Sequence, residues 1–323
     1  MALTYDQITA ITNELYLPMF PQLFADRNLL QKRLHAKGTK PQGGEQIKQH
    51  VFYQQSKGGF YAEYDTFDIS AEDQITAAFW PWKYLEVPIT LSRADVLRNA
   101  GAPAVKSLMD SKMKGAAIRA SQLLAQSMFG SGIDSSLGLN SVDHMCSQTG
   151  TLLGTNDVYG GIDRSFPYAW WDGNTHEAST ATVDYDLLSD AEALVLDGDI
   201  RPTIWMLGPN SYNRYMKNEK TEQRYMNQKD LDSGFVTSNF NGRLMSQDRY
   251  ISDPATGTSA SRAYGLNEEF IDMVTHANEN MRLEPFAKPV DQAVIVGHIM
   301  WAGNLVSCDP SRQVVIHNQN PAI

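Results

Sequence analysis

The chain has 323 residues, 42% of them hydrophobic, and a formal net charge of −10 from 37 acidic and 27 basic side chains. That supplies core for one large domain or two intertwined lobes, yet no run approaches the ~18 to 20 apolar residues of a membrane span. The acidic balance argues against a protein that grips nucleic acid through its phosphates.

Two cysteines, Cys146 and Cys308, exclude a disulfide framework and read as free thiols that pack like small hydrophobes. The opening residues, Met1 to Asp6, show neither a basic nor an apolar leader segment, so synthesis and use in the cytoplasm are expected.

Thr4 as N-cap and Leu3, Ile8, Ile11 and Leu15 near helical spacing predict a first helix, interrupted by Pro18 and Pro21. A second short helix is expected from about Asp26, an N-cap type, through Leu29, Leu30 and Leu34, with Gly38 and Pro41 as the stop. Residues 45–92 then change character. Ile47, Val51, Phe52, Tyr53, Ile75, Phe79, Trp80 and Trp82 are β-branched or aromatic and favour extended chain. Between Lys83 and Ser92, Leu85, Val87, Ile89 and Leu91 alternate with Glu86, Thr90 and Ser92, the period of a half-buried strand. Pro88 inside it indicates an edge or a bend.

Residues 43–88 therefore read as a long hairpin with a broad tip at Ser56–Asp68. The tip mixes Lys57, Gly58 and Gly59 with acids and the aromatics Phe60, Tyr61, Tyr64 and Phe67. A ten-residue strand spans about 33 Å, so such a hairpin reaches beyond a compact body. Its aromatics need cover, which neighbouring subunits would supply; packing on its own domain is the plainer alternative.

The clearest helix runs from Pro103 to about residue 129, with Gly130 as its stop. Val105, Leu108, Met109, Met113, Ala116, Ala120, Leu123, Leu124 and Met128 form its apolar stripe. At 1.5 Å per residue it is about 40 Å long, and it too is expected to complete its burial against copies of the chain. Residues 131–180, rich in Gly, Ser, Thr, Asn and Asp around Trp170 and Trp171, read as surface loops. A helix capped at Thr182 or Asp184, a buried strand Thr203–Leu207 and a helix opened by Pro209 and Asn210 suggest a mixed α/β lobe. Residues 217–262 read as loops and short strands, and the apolar runs at 293–301, 304–308 and 313–317 as late strands.

Motifs of chemistry are missing: no phosphate loop, dinucleotide fingerprint, nucleophile elbow or H-E-x-x-H occurs. Seven histidines (His35, His50, His144, His176, His276, His298 and His317) are scattered, and His144 and Cys146 lack a second ligand pair at zinc-site spacing. Glu45, Glu63, Asp65, Asp68, Glu72 and Asp73 form an acidic cluster that reads as a solvated face. No catalytic, cofactor-binding or metal-ligating residue is assigned, and no enzyme is expected.

Taken in order, these elements resemble the major capsid protein of tailed bacteriophages, the α+β fold of the Hong Kong ninety-seven phage. Phe79–Arg93 is similar to the strand that leaves that family's E-loop, with Asp95, Val96 and Leu97 entering the spine helix. Phe129-Gly130-Ser131-Gly132 and Leu137-Gly138-Leu139 resemble the glycine-marked exit from the spine; Ile204–Tyr212 resembles the axial-domain strand and its proline-opened helix. Ile299-Met300-Trp301 through Val314-Val315-Ile316 resembles the closing peripheral strands.

The resemblance implies an N-terminal arm (1–42), an E-loop hairpin (43–88), a peripheral domain (89–139) with a spine helix at 103–129, an axial domain (140–280) and returning peripheral strands (281–323). It implies a virion shell of pentamers and hexamers of this chain, assembled in the host cytoplasm and enclosing double-stranded DNA without specific binding. Portal, scaffold or decoration proteins would be further partners; no membrane or cofactor is implied. Lys57 to Phe67 would make intersubunit contacts, and the spine stripe would pack. No acidic helical segment of the fused-scaffold kind precedes the arm, and no partner for a Lys57 cross-link is identified. Two other readings stay open: an encapsulin-type compartment, and a soluble α/β enzyme using Asp, Glu and His near residues 144–177.

Overall fold

The computed structural model describes residues 28–54, 56–66, 70, 72–94, 102–130, 136–148, 158–164, 169–179, 181–219, 238–254, 261–290 and 292–319. The helix expected at Leu3–Leu15 lies outside them. The next helix, α1 (Leu29–Lys37), is capped by Asn28, not Asp26: the Asn28 side chain accepts from the Gln31 amide. Its inner face, Leu29, Leu30 and Leu34, is buried. Arg33 grips the Glu268 carboxylate with two bonds of 2.5 and 2.7 Å, and Lys37 donates to the Glu268 carbonyl at 2.6 Å, so α1 is fastened to the chain's later half.

β1 (Gln46–Phe52) and β2 (Ile75–Pro81) pair antiparallel in a two-stranded ladder running from Gln46↔Pro81 to Phe52↔Ile75. The ladder ends there. β3 (Lys83–Ser92) turns away and pairs with a different strand, so residues 83–88, expected in the hairpin, belong to another sheet. The predicted alternation in β3 holds, with Val87, Ile89 and Leu91 buried and Glu86, Pro88 and Thr90 exposed. Among the described residues β3 has one strand neighbour, which is where a proline is tolerated.

α2 (Ala102–Met128) matches the predicted long helix within a residue at each end and packs on β3. Met109, Met113, Ala116, Ala120, Leu124 and Met128 are buried and Leu108 and Leu123 half-buried, all joined to one core with β3, α1 and Trp301. The expectation that this helix depends on other copies for burial is thereby corrected: a stripe one helix face wide finds cover inside its own chain.

Residues 131–180 also depart from expectation. The short helix α3 (Val142–Cys146), the hairpin of β4 (Val158–Tyr159) and β5 (Ile162–Asp163), and β6 (Asn174–Glu177) lie in this stretch. Leu139, Val142, Cys146, Tyr159, Arg164 and Trp171 are buried. Among the described residues of this stretch the polar composition hides a buried set, and one cation does the work of several backbone partners. The Arg164 guanidinium donates to the carbonyls of His144, Met145 and Ser147, closing the end of α3.

The remaining elements form two sheets. α4 (Tyr185–Val195), capped by Asp184, precedes β7 (Ile204–Leu207); α5 (Pro209–Glu219) follows it. β8 (Ser238–Phe240), β9 (Arg243–Gln247) and β10 (Ser261–Leu266) come next, then β11 (Ile271–Thr275), β12 (Arg282–Leu283), β13 (Val294–Ser307) and β14 (Val314–Gln319). The six-stranded sheet has the order β6-β14-β10-β7-β9-β8; the other joins β11, β12 and β3 to β13. The late runs 293–301 and 304–308 are thus one 14-residue strand, while β14 enters the six-stranded sheet instead of returning beside β3.

Register divides the six-stranded sheet cleanly. Ile204, Met206, Tyr264, Leu266 and Val315 face the core shared with α2; Trp205, Leu207, Ala263, Val314 and Ile316 face α4 and α5. Gly208 sits where a side chain would strike Asp253. The bare backbone lets that carboxylate accept from the Asn210 and Ser211 amides, at 2.6 and 2.8 Å, and so cap α5 from a distant loop. Among the described residues no helix is long and apolar enough to cross a membrane.

Candidate assembly surface

The β1–β2 hairpin has two ends of opposite character. At the root, Ile47, Val51, Ala78 and Trp80 face inward and are buried. Trp80 meets Tyr159 edge to face at 5.7 Å, and Arg164 lies over the Tyr159 ring at 4.7 Å. Burial pushes the Tyr159 phenol well above its usual pKa, the Arg164 charge opposing, so the ring acts as packing and not as an acid. Gly160 has φ +60, and a Cβ there would strike Trp80; its carbonyl accepts from the Phe79 amide at 2.8 Å. Glycine is required on both counts. Trp82 Nε1 donates to the Gly44 carbonyl at 2.9 Å, and Asn304 Nδ2 to the Pro81 carbonyl at 2.9 Å.

At the tip the described residues give no such cover. Phe60, Tyr61 and Tyr64 are 110%, 68% and 91% exposed. The bonds there are polar and local: Lys57 Nζ reaches Glu72 at 3.2 Å and Ser70 at 2.6 Å, Gln54 Nε2 reaches Glu72 at 3.1 Å, and Gln74 Nε2 reaches Ser56 at 2.7 Å. Such exposed ties are worth at most about 1 kcal/mol each and weaken with salt. They shape the tip without burying its rings.

The tip brings together Lys57, Gly58, Gly59, Phe60, Tyr61 and Tyr64; Phe67 lies outside the described residues, as does the side chain of Val105 on α2. Met109, Met113, Leu124 and Met128 belong to the internal core, with Leu108 and Leu123 at its edge. Glu63, Asp65 and Asp73 are exposed and Glu72 is half-buried, so the acids border the aromatics.

One set escaped the sequence reading. Phe52, Ile75 and Phe79 are exposed on the outward face of the ladder, continuing the apolar surface from the tip toward the root. Their signal was present as a period of two against inward Val51, Ala78 and Trp80. A cleft of about 620 Å³ separates β1 from the body, bordered by His50, Tyr53, Trp170, Cys308 and Arg312. Its guanidinium is held by Asp197 at 2.7 Å and Asp309 at 3.0 Å. Elsewhere, His144 packs edge-on to Tyr159, beside the buried Cys146, while His176 lies on β6.

No protein-family model matches the sequence, and a search of curated proteins finds no match. Solved structures do resemble it. A cyanophage A-1(L) capsid subunit is 12% identical, with a TM-score of 0.60 over 94% of this chain and 93% of that one. The capsid of an empty GTA particle is 10% identical, with a TM-score of 0.62 over 88% and 89% of the two chains. The holo-SrpI encapsulin of Synechococcus elongatus PCC 7942 is 8% identical, with a TM-score of 0.52 over 77% and 78%. The chain has the Hong Kong ninety-seven phage capsid fold.

Proposed function

We propose that the chain is a structural subunit that assembles with copies of itself into a closed icosahedral shell, the head of a tailed bacteriophage enclosing double-stranded DNA. The observation that carries this reading is the uncovered aromatic tip on a hairpin whose root is locked into the body. Burying a phenylalanine is worth about 1.5–3 kcal/mol, and a soluble subunit that leaves such rings in water has that energy still to gain. Head-to-tail contacts around five- and six-fold axes close into rings, and many modest contacts act together once the ring forms. Lys57 to Phe67 are the intersubunit residues on this reading, and the lobe around the six-stranded sheet is the axial domain. The net charge of −10 suits enclosing DNA without adhering to it. The subunit works by geometry and needs no catalytic group; portal, scaffold and decoration proteins are the partners such a shell would use.

Electron microscopy of the purified chain tests this. Closed particles are expected, alone or with a scaffold supplied; a persistent monomer under every condition overturns the reading. The likeness to an encapsulin supports a second reading, a compartment for protein cargo. Particles isolated from the native source that hold protein and no DNA would select it.

A further inference from the structure

A second apolar feature lies at the junction of α2 and β3. A groove of about 350 Å³ is floored by Leu124, Leu139 and Trp301 and walled by Leu85, Leu123 and Leu137. The floor residues are buried while Leu137 is 73% exposed, so the groove opens to solvent on one side. Its polar groups gather at one end. Lys83 belongs to the lining and donates to the Ser136 carbonyl, which leaves two of the three ammonium donors. The chain holds 37 acidic residues against 27 basic ones, yet no acidic side chain lines the groove and no carboxylate among the described residues pairs with Lys83. The Trp301 ring lies against Gly303, which pairs across the ladder with Lys83. The indole thus leans toward the Lys83 end, and its buried Nε1 has no hydrogen-bond partner among the described residues. A buried donor left unpaired costs free energy that a ligand oxygen would relieve.

We propose that this groove binds a free fatty acid of medium chain length, its tail against the leucines and its carboxylate on Lys83 Nζ and Trp301 Nε1. Small-ligand sites of this size are mostly apolar, with a few placed polar groups that fix the ligand's orientation. Here the leucines supply the apolar run, and the two donors mark which end holds the head. Charge then decides what the head is. A cation with no carboxylate beside it, next to an unpaired N–H, selects an anion that accepts hydrogen bonds. A carboxylate has two acceptor oxygens and serves both donors, and its bond to an ammonium is charge-assisted. A cationic head fails on both counts, since it only donates and Lys83 repels it. The inference concerns a single chain and stands apart from the shell reading.

Calorimetric titration of dodecanoate into the full chain tests this, with dodecanoate kept below its micelle concentration and the subunit shown to be free by sedimentation. Saturable binding at one site per chain is expected. Lys83→Met keeps the apolar stem and removes the charge, and Leu137→Glu sets a carboxylate at the open side. Each should weaken binding about tenfold or more. Val290→Glu is the control: Val290 is fully exposed but lies near the far end of β3, where Ser92 pairs with Val294, and its replacement should leave binding unchanged. Circular dichroism checks that all three variants fold. Dodecyltrimethylammonium carries the same tail with the opposite charge and should bind at least about tenfold more weakly than dodecanoate. The absence of a saturable site overturns the inference, because a free subunit has no second copy to cover the groove. Equal affinity for the two amphiphiles overturns it, and so does equal weakening by Leu137→Glu and Val290→Glu. Adsorption to phosphatidylglycerol vesicles without binding of free dodecanoate points to a membrane surface and overturns it as well.

Discussion

The long helix α2 and the β1–β2 hairpin invite the same suspicion, since each is longer and more apolar than a compact body needs, yet the structure treats them oppositely. α2 carries its apolar residues on one periodic stripe, and that stripe is buried by β3, α1 and the core around Trp301. The hairpin carries its aromatics on a tip without period and on the outward face of its ladder, where the described residues offer no cover. Length therefore does not announce a partner. What does is apolar surface that no internal periodicity can aim at the core.

The sharpest way to break this comparison is to damage the element said to be self-sufficient. Leu124→Ala on α2 should cost about 2–5 kcal/mol of monomer stability through the lost transfer energy and the cavity left behind, measured by urea denaturation. A cost below about 1 kcal/mol would mean that the stripe is not covered within the chain.

A second measurement concerns the cover that α1 gives to α2, where Gln31 sits 3.4 Å from Ser121. α1 is capped by Asn28, whose side-chain amide donates to the buried Asp248 carboxylate. Burial raises the Asp248 pKa from 3.8 to about 6, with the Tyr250 amide and Asn28 opposing. The folded state thus holds this proton more tightly than the unfolded one, and the carboxylate's contribution to stability grows as pH falls from about 6 to about 4. Burial lowers the pKa of His35 and of His317, which act in the opposite sense, so the difference between two proteins is the useful quantity. Asp248→Asn should stabilise the chain by about 2–3 kcal/mol at pH 7 relative to pH 4. Denaturation curves that keep the same spacing at both pH values would remove Asp248 from the account.

The smallest expected effect on stability falls at the tip. Phe60→Ser with Tyr64→Ser should leave the monomer within about 0.5 kcal/mol of the parent, while particle yield in electron micrographs falls sharply. Equal yields would erase the contrast between the two regions.

Much of this was legible from local pattern. The alternation in β3, the stripe of α2, a helix cap at Thr182 or Asp184 and the run Ile204–Leu207 are signals carried by neighbours in sequence. What escaped was set by groups far apart in the chain. The runs 293–301 and 304–308 read as two strands, yet they form β13 without a break, and Asn304 is buried inside it, its side chain bonded to the Asn140 amide at 3.0 Å and to the Pro81 carbonyl. Asp253 caps α5 across more than forty residues, and Arg164 makes an interior of a glycine-rich stretch. β14 is buried on both faces, so its pattern could not say which sheet it would join. At the tip, the aromatics of Lys57–Phe67 were visible in the sequence, but the outward set Phe52, Ile75 and Phe79 could be recognised only once Trp80 fixed which face was in.

Pro88 carries one more consequence. A strand with one free side can recruit another by hydrogen bonding, and a seam made that way is slow to undo. Proline in β3 withholds a donor that such a seam would need. On the shell reading, copies that meet along this edge would do so through side chains, in contacts weak enough singly to be released and tried again. A growing lattice built from such contacts can discard a misplaced member before closure traps it.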